Sequence, residues 1–140
     1  MHNCACAPIA HTMGIAMFAS PRTAQLVLRI GLAIVFLWFG IDKFIQPQYW
    51  LDAWVPQFVQ DIVARAGMTG RDFVHLTGIF EVLVGLSFAT GYFLRYFAIA
   101  ASVFLVSIFA VHGFNEVMVR DIGLLGGLIA LVLWPERTYV

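Results

Sequence analysis

Five side chains that can carry charge or move a proton interrupt stretches of sequence that are otherwise apolar. They are Lys43, Glu81, His112, Arg120 and Asp121. Glu81 is the deepest acid, because it lies eight residues inside its apolar stretch, about 12 Å from the near end at the rise of an α-helix. A carboxylate at that depth in a membrane needs a proton or a nearby cation, and Lys43, His112 and Arg120 are the candidates to reach it.

These residue types suit the binding of a quinone, which needs an apolar slot, hydrogen-bond donors for two oxygen atoms and a proton carrier. We assign Glu81 as the candidate proton carrier and His112 as a candidate hydrogen-bond donor. Lys43, Arg120 and Asp121 complete the predicted pocket. No covalent cofactor and no metal are expected there. The predicted spans hold one well-embedded histidine and no cysteine, too few ligands for haem or an iron–sulfur cluster.

Each of these residues also has a purely structural interpretation, and the sequence leaves the choice open. A buried pair between Glu81 and Lys43 or Arg120 can serve only to fix the register of the helices. His112 can be a hydrogen-bonded packing residue. Arg120 and Asp121 can form an exposed pair at the start of a helix.

The composition places these residues in a membrane protein. The 140 residues are 61% hydrophobic and 11% charged, with a mean hydropathy of +0.89. A soluble domain carries about a quarter charged residues, so this chain could not cover a globular surface with polar groups. The net charge of zero offers no basic face for nucleic acid. We expect a multi-pass protein of the cell membrane that contacts the lipid bilayer.

Four apolar stretches predict an all-α fold, a four-helix transmembrane bundle. They cover residues 24–44, 73–93, 95–114 and 117–134, within one membrane domain over residues 24–134. Each has about 18 to 21 residues, and a span needs roughly 20. None alternates with period two, as a membrane strand would. The short connections at residue 94 and residues 115–116 make neighbouring helices antiparallel.

The long first connection, residues 45–72, repeats apolar residues such as Trp50, Trp54 and Phe58 at helical spacing. Pro56 would break or kink this run. We therefore predict one or two short amphipathic helices that lie at the membrane surface or cap the bundle. A linker that simply rests on the lipid is the alternative.

The two ends of the chain are expected to be tails, a disordered one over residues 1–23 and a short one over residues 135–140. Cys4 and Cys6 are too few for a disulfide framework. With nearby histidines they could bind a soft metal, but their spacing matches no specific signature, so we predict no metal site.

Helical spacing places the charged residues on packing faces, because the same faces carry small residues that allow close helix contacts. The faces are Arg29, Ala33, Phe36, Gly40 and Lys43 in the first span, Gly78, Glu81, Gly85 and Ala89 in the second, and Arg120, Gly123, Gly127 and Ala130 in the fourth. Trp38, Phe39, Phe80 or Phe109 would wall the pocket, depending on helix rotation. Arg29 is expected to snorkel to the interface.

The orientation in the membrane is weakly encoded. An even number of spans puts both termini on one side, and the Lys and Arg side chains divide four to four between the two sides. The positive-inside rule therefore gives no signal. We place the termini in the cytoplasm as a working expectation.

Two glycine-containing motifs frame the first two spans. The first, R-x-G-L…G-x-x-K, runs from Arg29 to Lys43, and the second, E-x-x-x-G…G-x-x-x-R, runs from Glu81 to Arg95. Together with the length and the four spans, they resemble the DoxX-like family of small four-helix membrane proteins over roughly residues 29–133. The resemblance implies that these four polar residues are recurrent positions of the family. The helical first loop and the Cys-containing tip are not part of its pattern.

The resemblance implies two classes of function. Some members of that family are associated with thiosulfate:quinone oxidoreductase and others with membrane-bound redox-stress complexes, while related eukaryotic proteins act in assembly of other membrane proteins. We expect a quinone-linked accessory subunit whose electrons come from a partner redox enzyme. The alternative is a non-catalytic assembly or structural subunit whose buried charges fix helix packing. Another membrane protein and a second copy of the chain are further candidate partners.

Overall fold

A computed structural model describes residues 20–113 and 116–134. These residues form helices and no strand. In chain order the helices are α1 (Pro21–Ile45), α2 (Pro47–Trp54), α3 (Gln57–Arg65), α4 (Gly70–Thr90), α5 (Leu94–His112) and α6 (Glu116–Leu133). The all-α prediction is confirmed. The predicted C-terminal tail and most of the N-terminal one, with Cys4 and Cys6, lie outside the described residues.

Three helices, α1, α4 and α5, are long and apolar enough to cross a membrane. Helix α6 has 18 residues and includes the charged side chains of Glu116, Arg120 and Asp121. The structure therefore supports a membrane protein with three candidate spans. A fourth crossing by α6 stays a prediction.

Capping residues explain why α4 lies three residues earlier than the predicted span. The Thr69 hydroxyl accepts a hydrogen bond from the Asp72 backbone, and the Asp72 side chain accepts one from the Thr69 backbone, so the helix begins at Gly70. Gly91, with a φ of 87°, ends it in the left-handed conformation that glycine adopts without strain. A turn through Tyr92 then leads into α5.

Glycines allow α1 and α4 to pack closely against each other. A Cβ added at Gly40 would lie 2.8 Å from a Val82 side-chain atom and 3.0 Å from the Gly78 carbonyl oxygen. A Cβ at Gly85 would lie 2.6 Å from the Leu37 side chain. Only residues without a side chain allow the two backbones to approach this far. The predicted packing faces of the first and second spans are thereby confirmed, except that Ala89 is exposed.

The four long helices form a ring, in which α1 packs on α4, α4 on α5, α5 on α6 and α6 back on α1. The centre of the ring is apolar and tightly filled, and the rings of Phe36 and Phe88 meet edge to face with centroids 5.7 Å apart. Val84 and Leu128 are fully buried beside them. This packed half holds the helices in place, so that the other half of the ring can remain open.

The predicted packing face of the last span is confirmed only in part. A Cβ at Gly127 would lie 3.3 Å from a Leu28 side-chain atom of α1, whereas a Cβ at Gly123 would have no neighbour within 4 Å among the described residues. The buried residues of α6 are Met118, Leu128 and Leu131, so large side chains from α6 fill the centre of the ring.

Helices α2 and α3 are the short amphipathic helices predicted for the first connection. They are separated at Pro56, whose backbone is extended. Helix α2 contacts both α1 and α4, and α3 contacts α4. The two helices therefore fold back on the end of the bundle where α1 ends and α4 begins.

Candidate functional site

An ion pair between Lys43 and Glu81 joins α1 to α4 inside the bundle. The distance from Lys43 Nζ to Glu81 Oε2 is 2.6 Å, and the two residues are only 8% and 6% exposed. A Cβ at Gly78 would lie 3.2 Å from Lys43 Cβ, so the lysine stem runs directly along α4. The close helix packing at these glycines thus also places the Lys43 ammonium next to the buried Glu81 carboxylate.

Trp50 of α2 covers the ammonium from the other side. Its ring centroid lies 3.9 Å from Lys43 Nζ, the distance of a strong cation–π contact. Its indole N–H donates a hydrogen bond to Asp42 Oδ2 at 2.8 Å, and Phe39 meets it edge to face at 5.7 Å. Two neighbouring residues of α1, Asp42 and Lys43, therefore hold α2 against the bundle.

A cavity of about 310 Å³ opens beside this ion pair. Its walls come from α1 and α4 on one side and from α5 and α6 on the other, and residues of α2 and α3 contribute the remaining wall. The apolar wall residues include Val35, Phe36, Phe39, Phe73, Phe104, Leu105, Ile108 and Leu124. Trp50, Trp54, Pro56 and Val59 line it from the α2–α3 segment. This volume falls within the range of small-molecule sites.

All five candidate residues from the sequence line this one cavity. His112, at the end of α5, has its Nδ1 3.3 Å from the carbonyl oxygen of Ile108, and its ring centroid lies 5.6 Å from that of Trp54. Its Nε2 is buried and has no hydrogen-bond partner within the described part of the chain. A buried polar atom without a hydrogen-bond partner is a site at which a ligand can form a hydrogen bond.

Arg120 and Asp121 pair with each other rather than with Glu81. Arg120 Nε lies 3.2 Å from Asp121 Oδ1, and the arginine side chain is 60% exposed. The Arg120 guanidinium also lies 5.7 Å from the Phe39 ring centroid. The Asp121 side chain is only 13% exposed, but an ion pair with so exposed an arginine contributes little to stability. Arg120 and Asp121 form the polar rim of the cavity.

The aromatic walls differ from those expected from the sequence. Of the four predicted aromatic residues, Phe39 lines the cavity. Trp38 is 71% exposed on the outer surface of α1, and Phe80 packs behind the wall against Phe104, with centroids 5.2 Å apart. Sequence reasoning missed Trp50 and Trp54 as wall residues. Their helical spacing marked an apolar face, but not what that face would cover.

Arg29 makes a helix contact at the other end of the bundle. Its guanidinium donates to the backbone carbonyl oxygens of Phe88 at 3.0 Å and Ala89 at 3.3 Å, in the last turn of α4. A Cβ at Gly91 would lie 2.5 Å from Arg29 Nη2, so the glycine makes room for the arginine. Arg29 thus caps α4, while Arg95 is exposed at the start of α5.

The charges around the cavity balance. Lys43 faces Glu81, and Arg120 faces Asp121. A site with balanced charge and mainly apolar walls suits a neutral ligand better than an ion. The polar groups available to such a ligand include the ammonium and carboxylate of the buried pair and, separately, Nε2 of His112.

Comparison with protein families finds a match to the family model described as DoxX over residues 24–113. The matched segment includes most of α1 and all of α2 to α5, and therefore Lys43, Glu81 and His112. No curated protein and no solved structure gave a match.

Proposed function

Because the chain belongs to the DoxX family of membrane proteins, we propose that it binds a quinone in the cavity beside Lys43 and Glu81. In this proposal the protein is an accessory or membrane subunit of a redox complex. A quinone accepts two electrons and two protons and thereby becomes a quinol. In this proposal the electrons come from a partner redox enzyme.

The observation that carries the proposal is the buried Lys43–Glu81 pair on the wall of a mainly apolar cavity of about 310 Å³. Phe39, Phe104 and the two tryptophans of α2 give the cavity aromatic walls that a quinone ring can pack against. The balanced charges of the wall favour a neutral ring over an anionic substrate. Both features match the general anatomy of sites that orient an apolar ligand with a few polar groups.

The residues of the chain have separate tasks in this proposal. Lys43 keeps one N–H on Glu81 and donates another to a ligand oxygen. Glu81 holds or returns a proton at that same oxygen, within reach of the lysine. His112 contacts the opposite side of the ring, and Arg120 with Asp121 forms the polar rim through which protons reach the bilayer surface.

The arrangement in the membrane is part of the proposal. We propose that α6 crosses the bilayer as a fourth span, because it closes the ring of long helices between α5 and α1. Both termini then lie on the same side, which we place in the cytoplasm. The cavity opens toward the opposite side, where α2 and α3 lie.

Extraction of the purified protein tests the proposal. The protein is purified from its native membrane in nanodiscs. Bound quinone is then extracted and quantified by mass spectrometry in the wild type and in Glu81→Gln. We expect near-stoichiometric quinone in the wild type and a loss of about tenfold or more in the variant, because it removes a charged hydrogen-bond partner. Arg95→Gln, an exposed residue at the far end of α5, is the matched control.

A second variant distinguishes loss of the quinone site from loss of the folded structure. Leu124→Phe fills the cavity from α6 without touching a charge, and we expect it to lower quinone occupancy as Glu81→Gln does. Wild-type protein that retains lipid but carries no quinone would refute the proposal.

A role in assembly or packing is the second candidate function. It is favoured by the close contact at Gly40 and Gly78, which together with the buried ion pair fixes the register of α1 on α4. In that case the protein would co-purify with another membrane protein and without quinone. The cavity-filling Leu124→Phe variant would then keep full function.

A further inference from the structure

We infer that the ligand of the cavity donates a hydroxyl hydrogen bond to His112, so that a quinol binds more tightly than the corresponding quinone. This inference rests on the proposed function and specifies the redox form that the site holds. It follows from the hydrogen-bonding state of His112 and from the two groups that face it across the cavity.

A backbone contact indicates which nitrogen of His112 carries a hydrogen. Nδ1 lies 3.3 Å from the carbonyl oxygen of Ile108. A carbonyl oxygen only accepts hydrogen bonds, so Nδ1 is the donor and, in the neutral ring, the lone pair lies on Nε2. The sequence suggested a donor role for His112, whereas this tautomer presents an acceptor to the cavity.

The acceptor at Nε2 has no partner of its own. The atom is buried, and no described residue forms a hydrogen bond with it. The ring of Trp54 packs against the imidazole at 5.6 Å and holds its orientation. A ligand hydroxyl satisfies this acceptor, whereas a ligand carbonyl places a second lone pair against it.

At the other end of the cavity, the Lys43–Glu81 pair can both donate and accept hydrogen bonds. Lys43 Nζ donates to Glu81 Oε2 at 2.6 Å, and an ammonium has two further N–H groups. The second carboxylate oxygen of Glu81 forms no hydrogen bond with the described residues. A hydroxyl oxygen can accept from Lys43 while its hydrogen is donated to Glu81, but a carbonyl oxygen can only accept.

A quinol can therefore form hydrogen bonds both with His112 and with the Lys43–Glu81 pair, whereas a quinone can only accept a hydrogen bond from Lys43. Sites that contain a partner for a hydroxyl group discriminate against analogues that lack it, because the buried polar atoms are then left without partners. We expect the quinol to bind about tenfold more tightly than the quinone, the equivalent of one to two net hydrogen bonds.

Equilibrium dialysis against protein in nanodiscs measures this preference directly. The probes are duroquinone and duroquinol, which share one ring and one set of methyl groups, and the experiment is anaerobic, with empty nanodiscs subtracted. We expect the quinol preference in the wild type and a preference reduced to about threefold in His112→Phe, because Glu81 still accepts a hydroxyl hydrogen in that variant. His112→Gln, which offers a carbonyl acceptor and also an amide N–H donor, should show a preference between those of the wild type and His112→Phe.

Ser107→Ala provides the matched control. Ser107 also lines the cavity, but its hydroxyl already donates to the Phe104 carbonyl oxygen at 2.7 Å, so the preference should persist in this variant. Equal binding of the two forms by the wild type, or tighter binding of the quinone, overturns the inference and leaves the proposed function standing. Binding of neither form overturns both.

Discussion

At the scale of single residues, the Lys43–Glu81 pair links helix packing to ligand chemistry. Taking two charges out of water is costly, and their attraction offsets that cost only when the geometry is good. That geometry is provided by the 2.6 Å contact between Lys43 and Glu81 and by the Trp50 ring over the ammonium. The cavity lies beside the pair. The pair holds α1 against α4 and at the same time presents a donor and an acceptor to the cavity.

Removing one member of this pair should cost more than removing both. In Glu81→Leu an uncompensated ammonium stays buried, and we expect a loss of about 3–5 kcal/mol in the free energy of unfolding. The double variant Lys43→Met with Glu81→Leu should recover most of that loss. Unfolding by SDS in mixed micelles measures both.

Arg120→Gln is the control for this comparison, because Arg120 is a charged residue of the same cavity that is 60% exposed. It should change the free energy of unfolding by less than about 1 kcal/mol. If Glu81→Leu costs no more than Arg120→Gln, the buried pair is not what holds the two helices.

At the scale of elements, the contact between α1 and α4 depends on residues that lack a side chain. Gly40 lies against α4 with no room for a methyl group, and Gly123 of α6 has open space around it within the described structure. The two positions carry the same residue type within apolar helices. They therefore form a matched pair for testing the role of close packing.

Gly40→Ala should destabilise the protein by about 1–3 kcal/mol, because the new methyl group pushes α1 away from α4. The same change at Gly123 should be neutral or slightly stabilising, since alanine favours a helix and meets no neighbour. SDS unfolding of the two variants makes the comparison. Equal effects at the two positions would contradict the packing described for α1 and α4.

Much of the fold follows from local sequence signals. The length and hydropathy of α1, α4 and α5, the break at Pro56, and the faces that carry Lys43 and Glu81 could all be predicted, because each depends on the spacing within one helix. The early start of α4 depends on the reciprocal bonds of Thr69 and Asp72, a capping-box pattern that the hydropathy of the span did not reveal.

The rotation of α6 and the position of Trp50 could not be predicted in the same way. The rotation of α6 depends on contacts between distant parts of the chain, and the position of Trp50 depends on a contact between two successive helices. Gly123 and Leu128 lie on faces of α6 that look equally suitable for packing, and only the ring of helices selects the leucine. Trp50 lies over Lys43 because its indole N–H reaches Asp42, eight residues earlier.

At the scale of the whole molecule, the four long helices enclose a packed half and an open half. The packed half, around Phe88 and Leu128, holds the ring together. The open half contains the cavity and is covered by α2 and α3. Whether α6 crosses the bilayer determines on which side of the membrane residue 134 lies.

Cysteine accessibility tests the fourth crossing. In a background with Cys4 and Cys6 replaced by serine, single cysteines at Thr23, Arg65 and Trp134 are labelled from one side of sealed vesicles. We expect position 134 to label with position 23 and opposite to position 65. Labelling of position 134 together with position 65 would show that α6 does not cross.

Photolabelling with an azido-quinone tests the central claim most directly, because it reports where the ring lies. The protein is irradiated in nanodiscs, and the modified peptides are identified by mass spectrometry. We predict adducts on the cavity wall, at Trp50, Trp54 or Phe104, that disappear in the cavity-filling Leu124→Phe variant. Adducts confined to the outer surface around Trp38, or unchanged in Leu124→Phe, would contradict a quinone site beside Lys43 and Glu81.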